Sequence, residues 1–319
     1  MPLERVAIIG GGAWGTALAQ AAARAGRVVA LVVRDPTIAG EINARHTNSR
    51  HLGGQQLDPA IAATTVFPGA DLVILAVPAQ ASRAALTGLA LAGVPVVLTA
   101  KGLEQESLKR QSEILAETAP GAIPYVLSGP SFAADVAAGR PTAVTLAGDD
   151  DAATAAIAAA LAGPSFRPYA AGDRTGVELA GALKNVYALA AGAVEGAGLG
   201  ASARAALIAR AFAELSRIIP ACGGRAETLA GLAGLGDLTL SCTSTQSRNY
   251  QHGVALGSGV SPPAALAEGV FTAPVAQALA RQAGVDAPLV DAVNLLLSGT
   301  VTITTIVAGL MARPLKRED

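Results

Sequence analysis

The stretch Ile8–Gln20, which reads IIGGGAWGTALAQ, constrains the fold of this chain more than any other segment. An apolar run precedes three consecutive glycines, and an alanine-rich helix former follows Gly15. In the pattern Gly10-x-Gly12-x-x-Gly15, the first glycine permits a tight turn, the second lets the backbone approach a pyrophosphate, and the third allows close packing of helix on strand. This strand–turn–helix context predicts a dinucleotide-binding turn, with a helix-opening loop that binds no ligand as the alternative.

Apolar runs and helix-forming segments alternate through the first half of the chain. Strands are predicted at Arg5–Ile9, Val28–Val33, Asp71–Val77, Val94–Thr99, Tyr125–Leu127, Thr142–Ala147 and Phe166–Tyr169. Helices are predicted at Ala13–Ala25, Glu106–Glu117 and Asp151–Leu161. Continuous apolar strands between helices are typical of a parallel sheet that is covered on both faces. We therefore expect an α/β fold with a doubly wound, mostly parallel sheet of the Rossmann type.

After about Asp173 the pattern changes to helices alone. They are predicted at Val177–Ala193, Ala201–Cys222, Thr228–Leu232, Ser247–Leu256, Pro262–Leu266, Ala273–Gln282 and Pro288–Leu297. Glycine and proline residues separate these segments, and no strand-like run stands out among them. The sequence therefore predicts two domains, an α/β domain at residues 1–173 and an all-helical domain at residues 174–319.

Composition excludes several classes of function. The formal net charge of -1 over 319 residues argues against a general basic surface for nucleic acid, so an anionic ligand must be held locally. The two cysteines, Cys222 and Cys242, lie in no CxxC pattern and are expected to be reduced thiols in a cytoplasmic protein. The three histidines have no metal-ligand spacing, so no metal site is predicted.

Neither a secretory signal nor a membrane span is predicted. The start, MPLERVAIIG, lacks the basic flank and long apolar core of a signal peptide. The mean hydropathy of +0.45 raises the question of a membrane span, but we find no run of about 18 uncharged, uniformly apolar residues. The best candidate, Thr300–Met311, is short and rich in threonine, and we predict a buried helix there.

The end of the second predicted strand bears on the choice of dinucleotide. A carboxylate at this position favours NAD by binding the adenine ribose, whereas a nearby arginine favours the 2′-phosphate of NADP. Here Arg34 comes first and Asp35 follows. Asp35 either pairs with Arg34 or binds the ribose, and a solvated surface pair is the alternative without function. We favour NADPH, with NADH as a weaker or equal cofactor.

Three polar stretches interrupt the alanine-rich background. Lys101 follows the fourth predicted strand, and the segment Ser128–Ala133 follows the fifth, where open α/β sheets bind their ligands. Lys184 and Asn185 interrupt an otherwise apolar helix. A buried ammonium needs a partner, and burial lowers its pKa toward the range that general acid–base catalysis uses. A surface lysine whose stem covers apolar neighbours is the alternative for Lys184.

The helical half adds further polar groups. Asp237 lies between glycine and apolar residues, and a partnership with Lys184 would explain a carboxylate there. The run Ser247-Arg248-Asn249 concentrates hydrogen-bond donors that suit a phosphate, although a helix N-cap beside a surface arginine would look the same. Glu268, taken by itself, is interpreted as a surface residue at the end of a helix.

Together these segments resemble a known family. The resemblance rests, in chain order, on GGGAWGTALA, AKGLE, SGPSFAADVAAGRPTA, GALKNVYALAAG, AGLGDLTLSCTSTQSRN and AEG, and it covers nearly the whole chain. The sequence is similar to the bacterial-type NAD(P)-dependent glycerol-3-phosphate dehydrogenases. The resemblance implies a Rossmann domain and an all-helical, dimer-forming domain of the 6-phosphogluconate dehydrogenase-like type. It also implies the interconversion of dihydroxyacetone phosphate and sn-glycerol 3-phosphate for glycerophospholipid synthesis.

The resemblance implies roles for individual residues. Lys184 would be the proton donor and acceptor, with Lys101 and Asp237 completing the catalytic group. The implied cofactor contacts are Gly10, Gly12, Ala13, Trp14, Gly15, Arg34, Lys101, Ala133, Arg248 and Glu268. The implied substrate contacts are Lys101, Gly129, Ser131, Lys184, Asp237, Ser247, Arg248 and Asn249. No metal is implied.

The sequence departs from the family pattern at three places. Ala13 stands where serine is common, His51 stands where tyrosine is frequent, and GVFTA after Glu268 lacks the usual aromatic-x-Thr pattern. Two other functions remain as alternatives. One is a related two-domain dehydrogenase acting on a small hydroxy acid, and the other is an NADP-binding sensor without catalysis.

Overall fold

The computed structural model describes residues 3–314. Eight strands form a single sheet: β1 Arg5–Ile9, β2 Val28–Val32, β3 Ile61–Thr64, β4 Leu72–Leu75, β5 Pro95–Leu98, β6 Ile123–Ser128, β7 Thr142–Ala147 and β8 Phe166–Ala171. Their order is β3-β2-β1-β4-β5-β6-β7-β8. All neighbours are parallel except β6 and β7, which are antiparallel. The first six strands follow the Rossmann order, which confirms the predicted fold class.

Helices cover the sheet and make up the second half of the described chain. Six of them precede the last two strands: α1 Ala13–Arg24, α2 Pro36–Arg45, α3 Ser49–Leu52, α4 Ser82–Leu86, α5 Gln111–Thr118 and α6 Ala133–Ala137. The others are α7 Asp151–Leu161, α8 Arg174–Gly196, α9 Gly200–Ala221, α10 Asp237–Thr243, α11 Arg248–Gly257, α12 Glu268–Gln282, α13 Pro288–Ser298 and α14 Ile303–Met311. Shorter helical turns lie at Ala79–Ala81, Ala226–Ala230 and Leu232–Gly236.

Several predicted elements differ from those observed. The helix predicted at Glu106–Glu117 begins only at Gln111, because Leu108 has a φ of 61°, which a helix does not allow. The segment Pro262–Leu266 is not helical, since two consecutive prolines remove backbone donors and disfavour helical geometry before them. The helical turn near Thr228 ends before Gly231.

Other elements were not predicted at all. The edge strand β3 contains two alanines in four residues and buries only alternate positions, so its apolar signal is weak. Helix α2 was missed although Asp35 caps it and Pro36 occupies its first turn, a combination that marks helix starts.

Helix α8 is the core of the helical half, and two glycine pairs allow its close contact with α11. A Cβ at Gly192 would lie 2.0 Å from the carbonyl oxygen of Tyr250, and one at Gly253 would lie 2.0 Å from that of Leu189. Gly196 and Gly257, one turn further along, meet the partner backbone at similar distances. The two helices therefore touch through their backbones, which a larger residue would prevent.

Helix α8 is also long and apolar enough to cross a membrane by length and composition, a property that the sequence inspection did not single out. Its most apolar window is entirely buried inside the protein, as expected for a core helix. The helix predicted at Thr300–Met311 is present as α14, but the prediction that it is buried is wrong. Only Ile306 among its residues is buried, because just one face of α14 packs on the fold.

Candidate active site

The glycine turn between β1 and α1 has the geometry that a bound dinucleotide requires. Gly10 has a φ of 119°, and a Cβ there would lie 2.4 Å from the carbonyl oxygen of Ala76. A Cβ at Gly15 would lie 1.8 Å from the oxygen of Gly10. By contrast, a Cβ at Gly12 would meet nothing within 4 Å. Gly10 and Gly15 therefore shape the turn, while Gly12 leaves open space before the N-terminus of α1 for an anion.

At the end of β2, Arg34 and Asp35 do not form an ion pair with each other. Arg34 is exposed, whereas the carboxylate of Asp35 caps α2 and accepts hydrogen bonds from the amide and hydroxyl of Thr37 at 2.9 and 2.7 Å. These bonds lower the pKa of Asp35. Its ion-pair partner is Arg50, at 3.5 Å, rather than Arg34. The sequence left open whether Asp35 pairs with Arg34 or binds the ribose, and in the structure the chain returns to this edge and supplies Arg50 as the ion-pair partner.

At the other end of the site, one carboxylate joins two lysines. The Nζ of Lys184 lies 3.0 Å from Asp237 Oδ1, and the Nζ of Lys101 lies 2.7 Å from Asp237 Oδ2. Lys184 also donates to the hydroxyl of Ser241, and Lys101 donates to the carbonyl oxygen of Gly129 at 2.9 Å. Asp237, Ser241 and Lys184 are all buried. The arrangement concentrates proton donors around a single shielded anion.

The charges in this group determine its electrostatics. Burial alone would raise the pKa of Asp237, but Lys101 and Lys184 outweigh it and hold that pKa below its usual range. Burial lowers the pKa of Lys101, and the like charge of Lys184 acts in the same direction against the attraction of Asp237. With two ammonium groups and one carboxylate, the group favours an anionic substrate or a developing oxyanion.

Separate elements carry these side chains to one place. Lys101 follows the carboxyl end of β5, Lys184 lies within α8, and Asp237 opens α10. The turn before α10 is tight, since a Cβ at Gly234 would lie 2.3 Å from the carbonyl oxygen of Leu229. Asn185 then fixes Lys101, because its amide donates to the Lys101 carbonyl at 2.7 Å.

A polar network extends from this group toward the segment that follows β4. The side chain of Asn249 donates from Nδ2 to Asn185 Oδ1 at 2.9 Å, and its Oδ1 accepts from the backbone amide of Gly269 at 2.8 Å. Next to Gly269, the carboxylate of Glu268 accepts from the amide of Ala79 at 2.9 Å. The network therefore connects α8, α11 and the start of α12 with the segment that follows β4.

The predicted phosphate-binding run lies at the N-terminus of α11. Ser247 caps this helix by accepting from the amide of Tyr250 at 3.3 Å, so the N-cap alternative for Ser247 is correct as far as its hydroxyl is concerned. Arg248 is exposed on the first turn and Asn249 is buried beside it. A helix N-terminus with an adjacent guanidinium is well suited to a phosphate.

A cavity of about 440 Å³ extends from the glycine turn to the group of Lys101, Lys184 and Asp237 and to the N-terminus of α11. Among the residues predicted to form the site, it is lined by Gly12, Ala13, Trp14, Lys101, Ser131, Ala133, Lys184, Asp237, Ser247, Arg248, Asn249 and Glu268. Gly10, Gly15, Arg34 and Gly129 are not part of its lining. Gly129 still contributes through its carbonyl oxygen, which accepts from the hydroxyl of Ser131 at 2.9 Å as well as from Lys101.

The sequence analysis missed some residues of this site. Ser241 contacts Lys184, and Asn185 was noticed but given no role. The spacing of Ser241, four residues after Asp237 on one helix, places both on the same face and was an available signal. Asn48 is buried and donates to the Gly11 carbonyl at 3.0 Å, but nothing local in the sequence indicated this.

Comparison with known proteins identifies the family of this chain. The N-terminal part of the NAD-dependent glycerol-3-phosphate dehydrogenase family matches residues 5–154, and its C-terminal part matches residues 173–308. Two curated glycerol-3-phosphate dehydrogenases [NAD(P)+] are similar. The one from Caulobacter vibrioides is 52% identical over 330 aligned positions, with 100% of both chains covered. The one from Chelativorans sp. is 50% identical over 321, with 98% of both covered.

A solved structure is similar over the same extent. The crystal structure of glycerol-3-phosphate dehydrogenase from Coxiella burnetii has a TM-score of 0.91 and 35% identity, and the match covers 98% of this chain and 100% of that one. This chain belongs to the NAD-dependent glycerol-3-phosphate dehydrogenase family.

The departures from the family pattern can now be placed in the structure. Ala13, the first residue of α1, lines the cavity with a methyl group where a hydroxyl is common in the family. His51 is largely exposed and lies outside the cavity lining. The limited burial of its ring and the positive charge of the neighbouring Arg50 lower its pKa. After Glu268, the hydroxyl of Thr272 bonds to the Glu268 carbonyl at 2.9 Å and supports the first turn of α12.

Proposed function

We propose that this protein reduces dihydroxyacetone phosphate to sn-glycerol 3-phosphate with NAD(P)H, in a reversible reaction. The observation that carries the proposal is the Asp237 carboxylate held between Lys101 and Lys184, in the cavity that also reaches Gly12 and Arg248. Membership of the glycerol-3-phosphate dehydrogenase family, over nearly the full chain, supports the same reaction.

The residues present fit a nicotinamide dinucleotide. Gly12 leaves room for a close backbone approach, and within residues 3–314 no side chain caps the amides at the start of α1. Trp14, Ala133 and Glu268 line the same cavity and would complete the cofactor site. When bound, the cofactor supplies the hydride for the central carbon of the ketone.

The protein supplies the proton and the charge stabilisation. We propose that the Lys184 ammonium protonates the forming alkoxide, while Asp237 keeps that ammonium oriented by accepting its hydrogen bond at 3.0 Å. Lys101 stabilises the negative charge that develops on the oxygen. Arg248, Asn249 and the amides of α11 hold the phosphate, which determines the carbon that faces the reductant. Ser131 and the Gly129 backbone complete the substrate contacts.

We also propose that the two parts of the chain bind different ligands. Residues 1–173 would form the cofactor-binding domain, because the sheet and the glycine turn belong to them. Residues 174–319 would form the substrate-binding domain, because they contribute Lys184, Asp237 and Arg248. NADPH would be preferred over NADH, since the exposed Arg34 suits a 2′-phosphate whereas Asp35 is engaged as a helix cap.

The family also supports three statements about the biological setting. We propose a homodimer formed by the helical part, where Leu199, Leu295 and Met311 are large apolar residues with at least 42% exposure. We propose a cytoplasmic location, in keeping with the free thiols of Cys222 and Cys242. The product would supply glycerophospholipid synthesis.

The first experiment mixes purified protein with dihydroxyacetone phosphate and follows the absorbance of NADPH or NADH. Rapid loss of absorbance is expected, with the faster rate for NADPH. A protein that binds NADPH but consumes neither cofactor would contradict the proposed substrate. Turnover with small hydroxy acids would then indicate the related dehydrogenase activity, and no turnover with either class would indicate a sensor.

A further inference from the structure

The carboxyl end of β2 carries two arginines around one carboxylate, where Rossmann folds bind the adenine ribose. Arg34 and Asp35 follow the strand directly, and Arg50 of α3 reaches Asp35 from the other side at 3.5 Å. Both arginines are exposed. Within residues 3–314, Arg34 makes no ion pair. Among these three groups, the positive charge exceeds the negative charge by one.

Asp35 is already engaged as the cap of α2. Its Oδ1 accepts from both the amide and the hydroxyl of Thr37, and its Oδ2 faces Arg50 at 3.5 Å. To bind the ribose hydroxyls, this carboxylate would have to share or lose contacts on one of its two oxygens. Asp35 is thus poorly suited to the role that an acidic residue has in NAD-preferring folds.

The backbone of α3 is anchored beside the glycine turn. The buried side chain of Asn48 donates to the carbonyl of Gly11 at 3.0 Å and to the hydroxyl of Thr16 at 2.8 Å. Glu41 of α2 accepts from the amide of Ser49 at 2.8 Å. The position of Arg50 is therefore fixed at its backbone, while its side chain is 69% exposed and held by a single long ion pair.

We propose that Arg50 is a second 2′-phosphate contact and determines, together with Arg34, the preference for NADP(H). The inference rests on the proposed function only in that it requires a nicotinamide dinucleotide as the cofactor. A dianionic phosphate attracts a guanidinium more strongly than the single carboxylate of Asp35. Arg50 exchanges Asp35 for the phosphate when the cofactor binds, and Asp35 remains the cap of α2.

The test measures binding of adenosine 2′,5′-bisphosphate and of adenosine 5′-monophosphate to the full chain by titration calorimetry. Arg50→Met should weaken binding of the bisphosphate by about 5- to 10-fold, the loss of one exposed charge-assisted hydrogen bond, and leave the monophosphate unchanged. Arg45→Met is the matched control, because it removes an exposed charge from the last turn of α2. Its effect should stay below about 2-fold. An equal effect on both ligands, an equal effect of both variants, or no effect of Arg50→Met would overturn the proposal.

A second variant tests the assignment of Asp35. Asp35→Asn keeps an oxygen for the Thr37 amide but removes the charge that holds Arg50. We expect tighter binding of the bisphosphate and unchanged binding of NADH. Weaker binding of NADH would instead show that Asp35 binds the ribose, contrary to the proposal. These titrations contain no ketone, so failure of the proposed reaction would leave their outcome readable, and turnover of dihydroxyacetone phosphate would not rescue a failed titration.

Discussion

Single residues determine the chemistry of this site, and the Asp237 carboxylate is central among them. Each of its oxygens faces a different lysine, at 3.0 Å from Lys184 and 2.7 Å from Lys101. Loss of either ammonium would leave this buried carboxylate with one lysine partner. The two lysines are therefore coupled through Asp237, and the like charge of Lys184 lowers the pKa of Lys101.

Replacement of the proposed proton donor tests this assignment. We expect Lys184→Ala to lower kcat by roughly 10²–10⁴-fold, because the alkoxide loses its positioned acid. Lys109→Ala is the matched control, since Lys109 pairs with Glu117 on the surface. Steady-state kinetics with circular dichroism to verify folding provides the measurement. A Lys184 variant with near-normal kcat would remove this residue from the role.

Replacement of the proposed phosphate-binding arginine should have a different signature. Arg248→Ala is expected mainly to raise the KM for dihydroxyacetone phosphate, because in the proposed mechanism the exposed guanidinium binds a group that does not change during the reaction. Initial rates over a range of ketone concentrations separate the two parameters. A loss confined to kcat would mean that Arg248 acts on the transition state instead.

At the scale of elements, the contact between α8 and α11 keeps the reacting groups together. Lys184 and Asn185 lie on α8, and Arg248 and Asn249 lie on α11. The glycine pairs bring these two helices into backbone contact. Asn249 then donates to Asn185 at 2.9 Å, which connects the proposed phosphate site with the helix that carries the proposed proton donor, Lys184.

A single methyl group in this contact should therefore destabilise the fold. Gly253→Ala is expected to lower the free energy of unfolding by about 3 kcal/mol or more, because its Cβ would lie 2.0 Å from the carbonyl oxygen of Leu189. Gly40→Ala on α2 is the control, since a Cβ there meets nothing within 4 Å. The control should be neutral or stabilising by up to about 1 kcal/mol. Chemical denaturation measures both, and equal effects would argue against the close helix contact.

At the scale of the whole molecule, one buried carboxyl group connects three helices of the second half. Glu214 of α9 accepts from the hydroxyl of Tyr187 on α8 at 3.2 Å and from the amide of Leu289, in the first turn of α13, at 2.7 Å. Burial raises the pKa of Glu214 to about 7, against an ordinary value of 4.5. Below about pH 7 the protonated form of Glu214 is therefore favoured in the folded protein.

This raised pKa makes global stability depend on pH. A carboxyl group whose pKa is higher in the folded state contributes its full stability below the unfolded pKa, and this contribution is lost as the pH rises toward the folded value. The free energy of unfolding should therefore fall by up to about 3 kcal/mol between about pH 4.5 and pH 7 because of Glu214. Glu214→Gln should remove most of this decline in urea titrations at several pH values. An unchanged decline would assign the pH dependence to other groups.

Features of the fold that depend on neighbouring residues could be predicted from the sequence, whereas contacts between distant residues could not. The glycine turn, most strands and the long helices were predictable, because periodicity and turn residues act over a few neighbouring positions. The lysine that interrupts α8 and the isolated Asp237 were visible as chemical exceptions in apolar surroundings. Ser241 and Asn48 were not, because a serine in a helix or an asparagine in a loop is ordinary until its partner is known.

The sequence by itself determined the class of this protein, namely a mostly parallel sheet with a dinucleotide turn, a helical second half and the residues of one dehydrogenase family. Only the tertiary structure decided how distant polar groups are paired. Asp35 binds Arg50 instead of Arg34, and Asn185 reaches Lys101, 84 residues earlier. Such pairs depend on how strands and helices pack in three dimensions, and short-range sequence patterns carry no record of that packing.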